Sequence, residues 1–300
     1  MNKTRGILAS LLAYMIWGLL PIYWKLLQVI PADRIIAHRI AWSCVFVIGL
    51  LLLTKRLDKL KAALRNPREL AILALAAVFI TINWFIYIYA VNTGQMIAGS
   101  LGYYINPLVS IALGAFVYRE RFRAIEWVAI ALATAGVTVM TIQVGRLPWI
   151  SLVLAISFGI YGLLKKMTAV DSDVGLAVET ALLLPFALAY LFLTPAAGLM
   201  GISPASAPPL AAGSPLLLTL LPLTGICTAT PLMLFATGTR HLDLSMVGFL
   251  QYLAPSIMLL LGVFAYNEAF TTTHAICFGL IWVGLALYSF AKLRATQVVS

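Results

Sequence analysis

Arg39 and Glu179 are the charged side chains in this sequence that most need a partner. Each stands a few residues inside a long apolar run. There an ionised group is costly and marks a binding site, a relay or an internal pair. Their surroundings match at a spacing of 140: residues 33–46 (DRIIAHRIAWSCVF) align with 173–186 (DVGLAVETALLLPF), through Asp33/Asp173, Ala37/Ala177, Ala41/Ala181 and Phe46/Phe186. Arg39 and Glu179 are therefore equivalent positions of opposite sign. Four readings fit them: binding of a charged small molecule, carriage of a proton, an ion pair that locks two parts of the chain together, or two side chains that snorkel from helix ends. His38, next to Arg39, is either a packing residue or a second group able to titrate near neutral pH.

A set of polar and aromatic residues accompanies them inside other apolar runs. Pro107 and Pro255 each remove one helical hydrogen bond, which frees the carbonyls of Tyr103 and Gln251. In lipid a freed carbonyl needs a partner or a wet cavity. Gly102, Asn106, Ser110 and Gly114 recur at i+4 spacing, so they share one helix face. Ser110 and Gly114 are read as packing residues, and Tyr103 and Asn106 as facing a cavity. Trp84 and Tyr87 fall in mid-run, where an interfacial aromatic belt does not account for them. With Trp17 and Tyr252 they complete a candidate substrate-binding set: Trp17, Arg39, Trp84, Tyr87, Tyr103, Asn106, Glu179, Gln251 and Tyr252.

The elements that must position these residues follow from composition. Of 300 residues, 62% are hydrophobic and 10% charged, with a mean hydropathy of +1.01. A soluble domain carries about 25% charge, so lipid must be the solvent here. Ten apolar segments, near 6–27, 36–54, 70–91, 96–118, 125–143, 149–167, 174–194, 215–238, 244–266 and 274–292, have the length of spanning helices and lack the alternation of barrel strands. The connection 55–69 is charged, whereas 195–214 is rich in Pro, Ala, Gly and Ser and uncharged; both read as extramembrane loops. The N-terminal run after Met1–Arg5 reads as a retained first helix.

The net charge of +10 is a topological signal. With both termini cytoplasmic, all but four of the 20 Lys and Arg fall on the inner side, the exceptions being Lys25, Arg34, Arg39 and Arg146; this is the bias that orients membrane proteins. Nucleic acid is not an expected partner, since no basic stretch outside the spans is interleaved with stacking aromatics. Cys44, Cys227 and Cys277 lie apart in apolar runs and predict neither disulfide nor metal. No cofactor is expected. Small-residue faces such as Ala129/Ala133 serve either internal packing or a homodimer contact.

The second half of the chain echoes the first. YINPLVSIALGAFVYRERF (104–122) matches YLAPSIMLLLGVFAYNEAF (252–270) at a spacing of 148, pairing Tyr104 with Tyr252, Pro107 with Pro255, Gly114 with Gly262 and Glu120 with Glu268; Gly136 and Gly284 follow at the same spacing. Residues 1–146 and 147–300 are thus two five-helix repeats. An odd number of spans per repeat inverts the second copy, an arrangement recurrent in secondary transporters, which bind their solute between the halves. Glu120 and Glu268 end their spans and read as helix-end caps or gate contacts.

The doubled Pro–Gly–Glu–Gly pattern resembles the ten-span drug/metabolite transporter superfamily, in its EamA-type branch. The opening WGLLPIYWK (17–25) and RIIAHRIAWS (34–43) are similar to its RarD subgroup. The resemblance implies a bacterial inner-membrane carrier, often an exporter of metabolites, amino acids or drug-like compounds. The absence of a G-x-x-x-x-G-K-[ST] sequence argues against ATP-driven pumping. The competing reading is a membrane-embedded enzyme that modifies a lipid or metabolite. Such chemistry needs clustered carboxylates or His/Glu groups. Asp171-x-Asp173 is the close acidic pair on offer at a membrane edge, and loop solvation accounts for it.

Overall fold

Lipid offers no hydrogen bonds to a backbone, so an apolar chain must satisfy its amides within each segment, and the helix does so. In the computed structural model the described residues are 3–118, 124–194, 215–241 and 250–297, and their regular structure is helical throughout. The helices are α1 (Lys3–Leu26), α2 (Ala32–Leu53), α3 (Leu57–Arg65), α4 (Pro67–Asn92), α5 (Met96–Tyr118), α6 (Ala124–Val144), α7 (Trp149–Met167), α8 (Ser172–Leu193), α9 (Pro215–His241), α10 (Leu253–Leu260) and α11 (Thr272–Gln297). α10 runs on into a π-helical turn, Leu261–Ala265. Seven of them, α1, α2, α4, α6, α7, α8 and α9, hold a stretch long and apolar enough to cross a membrane. Large apolar side chains such as Leu53, Phe192 and Phe264 point outward, as a lipid-facing surface requires. This is an all-α integral membrane protein.

The expected loop at 195–214, the cluster Arg119–Arg123 that includes Glu120, and the start of the ninth apolar segment lie outside the described residues. The other long connection differs from expectation: residues 55–69 contain the short helix α3. Its Leu57, Leu60 and Ala63 recur on one side, and Ala63 is buried. Arg56 donates to both Asp171 and Asp173, and Lys59 Nζ lies 2.8 Å from Asp171. The acidic pair is thus a clamp between two connections rather than merely solvated. Asn66 then starts α4, its side chain accepting from the amides of Arg68 (3.1 Å) and Glu69 (3.3 Å) with Pro67 in the first turn, a favourable N-terminal combination.

The most extensive helix packings join early helices to late ones: α5 with α7, α6 with α11, α1 with α9, α2 with α8 and α9, and α4 with α7. Glycines set the closest approaches. A Cβ at Gly136 would lie 3.0 Å from the carbonyl oxygen of Cys277, and one at Gly284 3.0 Å from that of Ala129. Ala129 and Ala133 are buried on this α6–α11 seam, so that small-residue face packs inside one chain.

Candidate functional site

Arg39 is placed by α2 on its inward side and is 4% exposed. Its Nε donates to Thr228 Oγ1 at 2.8 Å. That hydroxyl donates in turn to the Thr224 carbonyl, also at 2.8 Å, which leaves its lone pairs for Arg39. The guanidinium carbon stands 4.1 Å from the centre of the Trp84 ring and 5.0 Å from that of Trp24. Such contacts are attractive and tolerate burial, yet they carry no opposite charge. No carboxylate pairs with Arg39 among the described residues, and its Nη1 is buried without a hydrogen-bond partner.

Arg39 faces a cavity of about 130 Å³ bounded by the earlier helices α1, α2, α4 and α5 and by the later helices α7, α9 and α10. Two groups of rings stand in its wall. Between α1 and α9 Trp17 packs against Tyr14 and Phe235, with ring centres 5.5 and 5.7 Å away. Between α4, α5 and α7 Tyr103 meets Tyr87 at 5.9 Å and Phe158 at 6.1 Å, both edge to face. The Tyr87 and Tyr14 hydroxyls are buried and, like Arg39 Nη1, have no partner.

Two amides tie this lining to α7. Asn83 donates from Nδ2 to the Leu154 carbonyl at 3.0 Å and to Ser157 Oγ at 3.2 Å, and its Oδ1 accepts from the Tyr103 hydroxyl at 3.1 Å. Asn106 donates to the Ala155 carbonyl at 3.1 Å. Their donors are committed to the scaffold, whereas Arg39 Nη1 and the hydroxyls of Tyr14 and Tyr87 are buried at the cavity without a partner.

Seven of the nine residues singled out from the sequence line this cavity: Trp17, Arg39, Trp84, Tyr87, Tyr103, Asn106 and Gln251. Glu179 and Tyr252 do not. Glu179 is 1% exposed and accepts from Lys165 Nζ at 2.8 Å and from the Tyr161 hydroxyl at 3.3 Å. Lys165 reaches it by crossing Gly175, where a Cβ would strike the ammonium. The ion pair imagined between Arg39 and Glu179 is therefore replaced by a pair inside the second half. Tyr252 stacks on Tyr104. Glu268 caps α5, accepting from the amides of Met96 (2.7 Å) and Ile97 (2.8 Å).

Sequence reasoning passed over Tyr14, Asn83, Phe158, Thr228 and Phe235, which also line the cavity. Asn83 had a usable signal, an amide in the middle of an apolar run. Thr228 and the phenylalanines are ordinary residues of a spanning helix and carry none.

Residues 4–142 match the EamA-like transporter family. The chain is 42% identical to the uncharacterized transporter YojE of Bacillus subtilis, covering 97% of this chain and 95% of that one. It is 41% identical to protein RarD of Escherichia coli, over 96% and 95%. A solved crystal structure shares the fold with a TM-score of 0.59 at 21% identity, covering 99% of both chains.

Proposed function

The chain belongs to the EamA-like transporter family, in its RarD subgroup, and from that membership we propose a secondary transporter that moves a small organic solute by alternating access. It is a membrane transporter; the solute, the cycle and an outward direction of transport are our reading. The solute, an amino acid, metabolite or drug-like compound, would bind in the Arg39 cavity through the residues that line it. The two five-helix repeats, 1–146 and 147–300, would rock against each other around that site. Both termini would face the cytoplasm across a bacterial inner membrane, as the distribution of Lys and Arg suggests. No chemical reaction is assigned to the cavity.

One observation carries this reading: the cavity lies where helices of both halves meet, with its polar and aromatic lining drawn from each. The pattern of helix packing supports inverted repeats. Exchanging the halves turns the α5–α7 packing into α10–α1 and the α1–α9 packing into α7–α4, and all four are present. The Gly136–Cys277 and Gly284–Ala129 contacts exchange in the same way.

The test is counterflow in proteoliposomes over a panel of amino acids, metabolites and drug-like compounds, with and without a pH gradient. Saturable exchange of at least one compound is expected. No exchange across a broad panel counts against a carrier.

A further inference from the structure

Among the described residues, Arg39 is a buried cation without a paired anion. Removing a charge from water costs several kcal/mol unless a partner offsets it. Here Thr228 and two indole rings supply only part of that compensation. The unpartnered Nη1 and the free Tyr87 hydroxyl are hydrogen-bond donors at the wall of one cavity, and none of the described residues lining it is acidic. The rest of the wall is mostly apolar, aromatic and aliphatic side chains together, with a few neutral polar groups. A buried guanidinium nitrogen without a partner, beside a free hydroxyl, calls for an anionic acceptor, and a guanidinium matches a carboxylate in shape as well as charge.

We propose that the cavity binds an organic monocarboxylate with an apolar or aromatic body and no ammonium group, its carboxylate accepting from Arg39 Nη1 and from the Tyr87 hydroxyl. The rings of Trp17 and Tyr103, which line the cavity, would pack against the body. An α-ammonium would find no carboxylate among the described residues of the lining. The one acid equivalent in sequence to Arg39, Glu179, is held by Lys165 and Tyr161 away from the cavity. The inference rests on the carrier reading only for its transport consequence; the binding stands on the geometry alone.

The experiment compares four matched probes on the purified full chain, 3-phenylpropionate, 3-phenylpropionamide, phenylalanine and phenethylammonium, with chloride as a fifth. Binding is read from tryptophan fluorescence, since Trp17 and Trp84 line the cavity, and from thermal stabilisation; exchange is read by counterflow in proteoliposomes. The carboxylate is expected to bind about tenfold or more tightly than the amide or phenylalanine, because a site built of donors rejects an analogue that cannot accept. Arg39→Gln is expected to abolish that preference, Arg39→Lys to retain part of it, and Tyr87→Phe, which keeps the ring, to weaken the carboxylate severalfold. Equal binding of the amide or of phenethylammonium, displacement by equimolar chloride, no carboxylate binding, or an unchanged preference in a folded Arg39→Gln chain each overturns the proposal. The probe comparison needs no variant and so survives a variant that misfolds. Carboxylate binding without exchange of any solute supports the site and removes the carrier reading. Exchange of another solute class without carboxylate binding does the reverse.

Discussion

The rings of Tyr104 and Tyr252 lie 5.9 Å apart and 12° from parallel. The two residues are 148 apart, the spacing at which 104–122 matches 252–270 in sequence. Their stack ties α5 to the segment that leads into α10. Tyr104 also shares a hydrogen bond with Ser256 at 2.5 Å. Ring pairs of this kind contribute about 0.5–1.5 kcal/mol beyond their buried area. Tyr104→Leu and Tyr252→Leu should each lower the thermal midpoint, and the double variant should lose less than the sum. Strict additivity in a thermal-shift series would show that the stack is not a coupled unit.

Lys165 and Glu179 form an ion pair in which Glu179 is buried and Lys165 half-buried. Removing one partner of such a pair leaves an uncompensated charge and costs about 3–5 kcal/mol. Lys165→Met alone should therefore destabilise strongly, while Lys165→Met combined with Glu179→Gln should recover most of the loss. The exchange of Arg39→Glu with Glu179→Arg should rescue neither single change, because the two side chains have separate partners. Rescue of transport by that double swap would contradict the geometry.

Gly136 and Gly284 should respond alike. In each, an added methyl would meet a carbonyl oxygen of the facing helix at 3.0 Å, and overpacking of a tight contact costs about 1–3 kcal/mol. Gly136→Ala and Gly284→Ala are expected to lower the thermal midpoint by similar amounts. A clear loss at one and none at the other would break the equivalence of the two crossings.

Orientation can be read by thiol labelling. Lys61 and Arg146 are both exposed, and the charge pattern puts them on opposite sides of the membrane. In a chain with Cys44, Cys227 and Cys277 replaced by alanine, an impermeant maleimide should label Arg146→Cys in intact cells and Lys61→Cys only after the membrane is opened. The opposite pattern would invert the proposed topology.

Helix positions were legible because length and apolarity alone decide them in lipid: the run at 70–91 becomes Pro67–Asn92 and the run at 149–167 becomes Trp149–Met167. The short helix α3 was not, since its charged sequence reads as a connection until Arg56 finds Asp171 and Asp173. The cavity was legible wherever a residue was out of place in an apolar run, as with Arg39, Asn106 and the mid-span Trp84. Glu179 satisfied the same rule, but its partner Lys165 is a neighbour in space that no spacing along one helix announces. Tyr252 stands outside the cavity, stacked on Tyr104. Sequence repetition marks residues that pack helix against helix as strongly as those that line a cavity, and the pattern does not separate the two.

The preference of early helices for late partners has a consequence for biogenesis. The buried side of α2, with Ile35, Ile40, Cys44 and Val47, packs on α8 and α9, which the ribosome makes more than a hundred residues later. At ordinary synthesis rates that is a wait on the order of ten seconds. Through it, Arg39 has its ring neighbours Trp24 and Trp84 within reach but lacks its hydrogen-bond partner, since Thr228 has not yet been translated. The nascent chain is thus most exposed to quality control before α9 emerges, and a ribosome stalled between α5 and α8 should yield a protease-sensitive product.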